Sequence, residues 1–194
     1  MSNLINARFL LGEHPEKKQI AKLLGLEIIE ALPSSDAEVV VILASAKTGV
    51  DQQIISSWQS FREGYVPALI VVLDFEDSEV DFEDMSAILG KMLEPVVTPY
   101  LVLHAEDGRG VGLINLESLQ VTDYSTKNGI ERDSDPEHKE LVKEFAEELK
   151  EALLEGGWEQ FIQGLIIPAI PLNLENSLGV IEIKRFLNLI PSRS

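Results

Sequence analysis

The 194-residue chain has no cysteine, and this absence excludes disulfide bonds and thiolate metal sites. It also has no apolar run of membrane-spanning length. Its first residues, Met1-Ser2-Asn3-Leu4, lack the charged region that precedes the apolar core of a signal peptide. A cysteine-free chain fits a reducing compartment. We therefore expect a cytoplasmic protein that has no membrane partner.

Positive charge is also scarce in this chain. Lysine and arginine together number 16, against 33 aspartate and glutamate residues, which gives a net charge of −17. A surface of this sign repels phosphates and argues against direct binding to RNA or DNA. Hydrophobic residues nevertheless make up 45% of the chain, a share typical of globular proteins. We expect a single domain over residues 1–194, with a basic protein surface as its partner.

Buried strands alternate with amphipathic helices along most of the chain. Val39-Val40-Val41-Ile42 is a continuous β-branched run, which is typical of a parallel strand that is covered on both faces. The alternation predicts a three-layer α/β fold in which helices flank a mostly parallel sheet. The predicted strands are residues 6–11, 38–43, 68–72, 100–103 and 165–169, and the predicted helices are residues 15–32, 51–63, 82–93, 136–155 and 177–189.

An insertion subdomain over residues 106–163 interrupts this alternation. Gly108-Arg109-Gly110 predicts a turn at its start. Asp135 and Pro136 fit the N-cap and the first turn of its long helix. The other predicted parts of the insertion are two antiparallel strands, 111–116 and 119–124, and a polar loop over 125–135.

Two loops that follow predicted strands carry candidate binding residues. Lys47 and Thr48 lie between a strand and a helix, at the position of a phosphate loop, but no glycine precedes them to let the backbone wrap a phosphate. An ordinary strand-to-helix turn is the alternative. Asp74, Glu76 and Asp77 belong to a dense acidic loop whose oxygens suit a hard cation. A solvated acidic loop without a metal is the alternative there.

The segment from Trp58 to Phe82 follows the order helix, turn with proline, buried strand and polar loop. This segment resembles the GTPase domain of translation elongation factor G. The resemblance covers residue 36 to the C-terminus and includes the insertion that is special to that factor. The further matching segments, in the same order, are Thr98-Pro99-Tyr100-Leu101-Val102-Leu103, Gly112-Leu113-Ile114-Asn115-Leu116, Val121-Thr122-Asp123-Tyr124, Gly179-Val180 and Leu189-Ile190-Pro191-Ser192.

The chain departs from that family at the nucleotide-binding residues. The family's guanine loop reads Asn-Lys-x-Asp, and its last carboxylate hydrogen-bonds the guanine base. The matching positions here are Leu73, Asp74, Phe75 and Glu76. No Gly-x-x-x-x-Gly-Lys-Ser/Thr sequence occurs, so the phosphate loop is missing, and the first switch has no counterpart. Gly12-Glu13-His14 is compared with the Pro-Gly-His of the second switch, although its surroundings match poorly. The departures predict no GTP hydrolysis and no cofactor.

The predicted helix 136–155 has one apolar face and one acidic face. The acidic face consists of Glu144, Glu147, Glu148 and Glu151. An ordinary amphipathic helix would leave these charges solvated. The resemblance implies another role, because the corresponding helix of elongation factor G contacts the mobile stalk protein of the large ribosomal subunit. An acidic face would attract a basic partner through complementary fields.

These observations favour a non-catalytic relic of a translational GTPase domain that acts as a protein-binding module. Its partner would be a ribosomal stalk protein or another translation component. The alternative hypothesis is a weak or unconventional nucleotide-binding protein that uses Lys47, Thr48 and the acidic loop. A third hypothesis is a domain whose sheet is completed by a partner, including a homodimer formed at an exposed sheet edge.

Overall fold

The computed structural model describes residues 7–33, 37–76, 78–126 and 128–191. In chain order its elements are β1 (Arg8–Leu11), α1 (Lys17–Leu24), β2 (Glu27–Ile28), β3 (Val39–Ser45), α2 (Gln52–Arg62), β4 (Ala68–Leu73), α3 (Phe82–Met92), β5 (Val96–Val97), β6 (Tyr100–His104), β7 (Gly110–Asn115), β8 (Gln120–Asp123), β9 (Ile130–Asp133), α4 (Pro136–Leu141), α5 (Lys143–Ala152), α6 (Glu159–Ile162), β10 (Ile167–Pro171) and α7 (Val180–Leu189). A six-stranded sheet has the strand order β2-β1-β3-β4-β10-β5, and a four-stranded sheet has the order β6-β7-β8-β9.

The strands β3 and β4 form the centre of the larger sheet, and all of their side chains are buried. They pair in parallel from Val40 opposite Ala68 to Ser45 opposite Leu73, and the other pairings of this sheet are parallel too. β-branched residues fill β3 because they pack well on a pleated surface that is covered on both faces. Helices flank the sheet, so the predicted α/β class is confirmed. The carboxyl ends of β1, β3, β4 and β10 consequently meet at one edge.

The smaller sheet belongs to an insertion between β5 and β10, and its pairings are antiparallel. Ile114 and Val121 of this sheet pack with Val142 and Leu149 of the following helical segment in a small separate core. Tyr124, just after β8, is buried in the main core instead. The insertion is therefore anchored to the parallel sheet by its own side chains.

The first predicted helix is much shorter than the expected range 15–32. α1 ends at Leu24, because Gly25 adopts a left-handed conformation with φ 68° and its N–H closes the last turn on the carbonyl of Ala21. The residues that follow include β2, which pairs in parallel with β1. The sequence pattern misleads here because the apolar residues after Gly25 continue at a spacing that also suits a helix.

Two predictions within the insertion are also wrong. The expected loop 125–135 contains β9, which pairs with β8 from Gln120 opposite Asp133 to Asp123 opposite Ile130. The expected helix 136–155 is divided into α4 and α5 at Val142, whose ψ of 3° departs from helical geometry. Val142 is buried in the small core, and a β-branched side chain has little rotamer freedom with which to reach such a site from a regular helix.

Both edges of the six-stranded sheet are short strands. β2 and β5 have two residues each, so each edge offers few unpaired backbone groups to a partner. The sheet-edge dimer stays a prediction. None of the helices in the described ranges combines the length and the apolar character that a membrane span requires.

Candidate functional site

A cavity of about 390 Å³ lies at the carboxyl edge of the parallel sheet. Its walls come from the loops after β4 and β10 and from the turn between β6 and β7. Ligands of open α/β sheets bind at this edge, where the loops after neighbouring strands converge. The polar residues that line the cavity are Glu16, Asp74, Glu76, Asp107, Arg109, Asn173 and Glu175.

Asp74 joins three loops at this edge. Its Oδ2 atom accepts a hydrogen bond of 2.5 Å from Ser45 Oγ and lies 3.3 Å from His14 Nε2. The backbone N–H of Glu16 donates to His14 Nδ1 over 3.1 Å. His14 Nε2 is therefore the protonated nitrogen, and it donates to Asp74. Asp74 has a backbone φ of 62°, a left-handed conformation that aspartate tolerates better than most residues.

This group of serine, histidine and aspartate does not have the geometry of a catalytic triad. In a triad, the histidine lies between the nucleophile and the carboxylate and takes the proton of the nucleophile. Here Asp74 lies between the other two side chains. Ser45 is only 3% exposed, and the second nitrogen of His14 is occupied by a backbone N–H. The arrangement joins the loops through Asp74, whose carboxylate accepts hydrogen bonds from both His14 and Ser45.

The candidate phosphate-binding residues Lys47 and Thr48 lie in the turn after β3, at the same edge, and both are exposed. Their backbone N–H groups donate to Ser45 Oγ over 3.1 and 3.3 Å. The N–H of Gly49 donates to the carbonyl of Ser45. A phosphate site needs amides of this kind to point at the ligand. The turn instead directs these donors to Ser45.

Glu76, in the loop after β4, joins two other segments through its carboxylate. Its Oε1 atom accepts a hydrogen bond of 2.5 Å from the backbone N–H of Gly110. Its Oε2 atom accepts one of 2.5 Å from Asn173 Nδ2. Asn176 Nδ2 donates in turn to the carbonyl of Gly110 over 2.8 Å. The two Glu76 oxygens thus connect the β6–β7 turn to the loop after β10.

Acidic side chains dominate the cavity. Its lining carboxylates belong to Glu16, Asp74, Glu76, Asp107 and Glu175. The lining guanidinium of Arg109 lies 2.7 Å from Asp107 Oδ2. Hydrogen bonding to Arg109 lowers the pKa of Asp107. The field in the cavity opposes anions such as nucleotide phosphates and favours cationic groups.

Asp74 and Glu76 are also the candidate metal ligands, whereas Asp77, the third candidate, lies outside the described residues. In the part of the chain that the structure describes, no group of three histidine, aspartate or glutamate side chains could hold a metal ion. The oxygens of Asp74 and Glu76 instead accept hydrogen bonds from protein donors. Their arrangement is that of structural carboxylates.

The four glutamates of the predicted partner-binding face, Glu144, Glu147, Glu148 and Glu151, lie on α5 and are all exposed. α5 buries Leu149 in the small core, so its acidic residues face away from the protein interior. None of the four lines the cavity at the carboxyl edge. The molecule therefore carries two separate candidate surfaces.

Sequence reasoning misses the roles of Ser45 and Asn173 in the carboxyl-edge network. Ser45 ends β3, and Asn173 is the second residue after β10. A polar residue at the carboxyl end of a parallel strand is a usable signal, because these ends meet at one edge of the sheet. The contact between Glu76 and Asn173 spans 97 residues and has no local signal in the sequence.

The fold is shared with a protein whose structure has been solved. No protein-family model matches the chain, and no curated protein matches it. The crystal structure of ttk003000868 from Thermus thermophilus is similar to this chain, with a TM-score of 0.67 and 24% identity. The match covers 80% of this chain and 27% of that protein, so the chain spans about a quarter of its length. A similarity at this identity supports the α/β fold alone.

Proposed function

We propose that this protein is a non-catalytic, cytoplasmic protein-binding module derived from a translational GTPase domain. The observation that carries the proposal is the position of Glu76. The residue that would correspond to the guanine-reading carboxylate directs both of its oxygens to Gly110 and Asn173 of its own chain. A carboxylate engaged in this way is oriented by its own chain and has fewer free lone pairs to offer the two donors of a guanine base.

The turn at Lys47 and Thr48, where a nucleotide's phosphates would be expected to bind, also supports a non-catalytic role. The amides of Lys47 and Thr48 donate to Ser45, and the cavity is lined mainly by carboxylates. Entry of a nucleotide polyphosphate into such a field is unfavourable, because like charges repel. These contacts support a structural role for the carboxyl-edge loops over a nucleotide-binding role.

Binding of a protein partner is assigned to the acidic face of α5. Its four glutamates are exposed, and the net charge of the chain is −17. Electrostatic complementarity accelerates the encounter with a basic surface and selects against acidic ones. The resemblance to elongation factor G names the partner class, which is a ribosomal stalk protein or another translation component.

A thermal-shift titration with GTP, GDP and ATP, each with magnesium, tests the non-catalytic assignment. We expect no change in melting temperature. A ligand at one hundred times its Kd stabilises a protein by about 2.7 kcal/mol, which corresponds to several degrees for a domain of this size. A shift of that size that is lost in Lys47→Ala would contradict the proposal.

Co-sedimentation with large ribosomal subunits tests the partner assignment. We expect binding to intact subunits, loss of binding to subunits stripped of the stalk protein, and weaker binding of the variant Glu147→Lys/Glu148→Lys. The matched control is Glu63→Lys/Glu79→Lys, which makes the same charge change at exposed positions outside α5. If both variants bind ribosomal subunits equally well, or if the protein binds stripped subunits as well as intact ones, this assignment is contradicted.

Weak nucleotide binding is the second candidate function, and the position of the cavity is the observation that favours it. The cavity lies between the loops after β4 and β10 at the carboxyl edge of the sheet, where α/β folds bind their ligands. Its volume of about 390 Å³ falls within the range of small-molecule sites, about 300–1,000 Å³. The thermal-shift titration distinguishes the two candidates.

A further inference from the structure

A second concave surface lies between α3 and α5, on the insertion side of the molecule. It encloses about 280 Å³, slightly less than the roughly 300–1,000 Å³ of a typical small-molecule pocket. We call it the α3–α5 groove. Its apolar lining includes Ala87 and Gly90 of α3, Val96 and Val97 of β5, and Phe145 and Ala152 of α5. An open apolar groove of this size suits the side chains of a larger partner better than a separate small ligand.

The rim of the groove is acidic. Glu83 and Glu148 line it directly, and Glu144 and Glu151 lie on the same side of α5 as Glu148, at helical spacings of four and three residues. The backbone N–H of Val102 donates to Glu83 over 3.2 Å, which holds that carboxylate in place. The groove therefore combines an apolar floor with carboxylates along its edge.

Apolar side chains of α4 and α5 are open to solvent. Phe145 is 41% exposed although it lines the groove, and Leu141, four residues earlier, is 75% exposed. Exposed apolar surface that is bordered by polar residues marks interaction sites in globular proteins. Both residues belong to the helical segment that carries the acidic face.

We propose that the α3–α5 groove binds one amphipathic helix of a partner protein, with apolar residues on one side of that helix and lysine or arginine beside them. This inference rests on the proposed function, because it specifies how the protein-binding module holds its partner. An amphipathic helix inserts its apolar side chains into a groove at positions i, i+3, i+4 and i+7. Its basic residues would meet Glu83, Glu148 and Glu151 at the rim.

Charge decides between the other classes of occupant. Anionic lipid surfaces and nucleic-acid backbones are repelled by an acidic rim. A second copy of this chain carries the same net charge of −17 and would bring like charges together. An added β-strand is disfavoured, because β5 offers only two residues for main-chain pairing. A basic amphipathic helix can pack its apolar side chains on the apolar floor and place its cationic side chains beside the glutamates of the rim.

Fluorescence anisotropy with a labelled synthetic peptide tests the proposal. The probe is a peptide of about 18 residues, long enough to form a helix, with leucine at i, i+3, i+4 and i+7 and lysine elsewhere. Two control peptides are used. The first has the same amino-acid composition in a scrambled order, and the second has glutamate at every lysine position. We expect the amphipathic basic peptide to bind at least about tenfold more tightly than either control, and to bind less tightly at high salt. Equal binding of the scrambled peptide would overturn the proposal.

Variants locate the binding site. Ala87→Arg places a bulky cation in the groove and is expected to weaken peptide binding about tenfold or more. Phe145→Ser removes an apolar contact and is expected to weaken it too. The matched control is Ile88→Arg, because Ile88 is exposed on α3 but does not line the groove. Circular dichroism and the melting temperature establish that each variant is folded. Equal affinities for Ala87→Arg and Ile88→Arg would overturn the proposal.

The outcomes separate this inference from the proposed function. If Glu147→Lys/Glu148→Lys weakens ribosome binding while Ala87→Arg does not, the partner contacts the acidic face alone and the groove is not its site. If the peptide binds in the groove while the stalk is not recognised, the groove assignment stands and the proposed partner class fails. A homodimer in analytical ultracentrifugation that Ala87→Arg dissociates would show a second copy in the groove and overturn the proposal.

Discussion

Asn173 Nδ2 donates a hydrogen bond of 2.5 Å to Glu76 Oε2 and thereby joins the loop after β10 to the loop after β4. The other oxygen of Glu76 accepts from the N–H of Gly110 in the insertion. One carboxylate thus connects three segments that are distant in the sequence. A Cβ atom at Gly110 would lie 2.7 Å from Glu76 Oε1. The absence of a side chain at Gly110 therefore lets its backbone N–H come close enough to bind Glu76.

The first prediction concerns this carboxylate. Glu76→Ala leaves the Gly110 N–H and the Asn173 amide without their acceptor, and we expect it to lower the free energy of unfolding by about 1–3 kcal/mol. Urea denaturation measures the change. The control Glu79→Ala removes an exposed carboxylate from the same loop and should change stability by less than about 0.5 kcal/mol. Equal effects would show that the Glu76 contacts contribute little.

The second prediction concerns Tyr124 and Glu182. Glu182 is fully buried, the hydroxyl of Tyr124 donates to its Oε2 over 2.5 Å, and its Oε1 has no partner among the described residues. Tyr124→Phe should destabilise the protein by about 1–3 kcal/mol, because it leaves a buried oxygen of Glu182 without its hydrogen-bond donor. The double variant Tyr124→Phe/Glu182→Leu should recover most of that loss.

A double-mutant cycle in urea, with Glu182→Leu as the second single variant, measures the coupling between the two side chains. Removing both partners replaces a buried polar contact by apolar packing, which is often neutral or stabilising. Additive single effects would mean that the two residues contribute independently and would refute the expected coupling.

The third prediction concerns alkaline pH. Burial, together with the negative charge of Glu182, raises the pKa of Tyr100 to about 12, and the same two causes raise the pKa of Tyr124. A tyrosine with a raised pKa contributes stability that is complete below its ordinary value of about 10. This stability is lost as pH rises through the folded-state value, with a slope of about 1.4 kcal/mol per pH unit for each group.

Urea titrations between about pH 9 and pH 12 check this expectation. Tyr100→Phe should reduce the loss of stability in that range, because phenylalanine has no proton to lose. Tyr65→Phe makes the same substitution at a side chain that is 61% exposed and is the matched control. If both variants change the pH dependence of the free energy of unfolding equally, the burial of Tyr100 does not cause the loss of stability at alkaline pH.

The fourth prediction compares two glycines with positive φ. Gly179 precedes α7 with φ 90°, and a Cβ atom there would lie 1.8 Å from the carbonyl oxygen of Pro171. Gly157 has φ 56°, and a Cβ atom there would meet nothing within 4 Å. Gly179→Ala should prevent folding or cost more than about 4 kcal/mol, whereas Gly157→Ala should cost only about 1 kcal/mol. Thermal melts of the two variants decide the comparison.

Several elements could be read from local patterns. The strands β3 and β4 follow from continuous β-branched and apolar runs, and the bounds of α2 and α3 lie within about one residue of their predicted ranges. The stop of α1 at Gly25 and the strand β9 could not be read in this way. At α1 the apolar spacing continues past the left-handed Gly25, and the residues that follow pair with β1. At β9 a polar segment becomes a strand because it pairs with β8.

The acidic composition and the α/β alternation were determined by the sequence itself, because both depend on residue types and their spacing alone. The carboxyl-edge network was decided only by the tertiary structure. Nothing in the residues around Glu76 shows that its oxygens bind Gly110 and Asn173, since these partners lie 34 and 97 residues away. A carboxylate that faces a ligand and one that faces its own chain have the same sequence, and they differ only in which donors the fold brings within hydrogen-bonding distance.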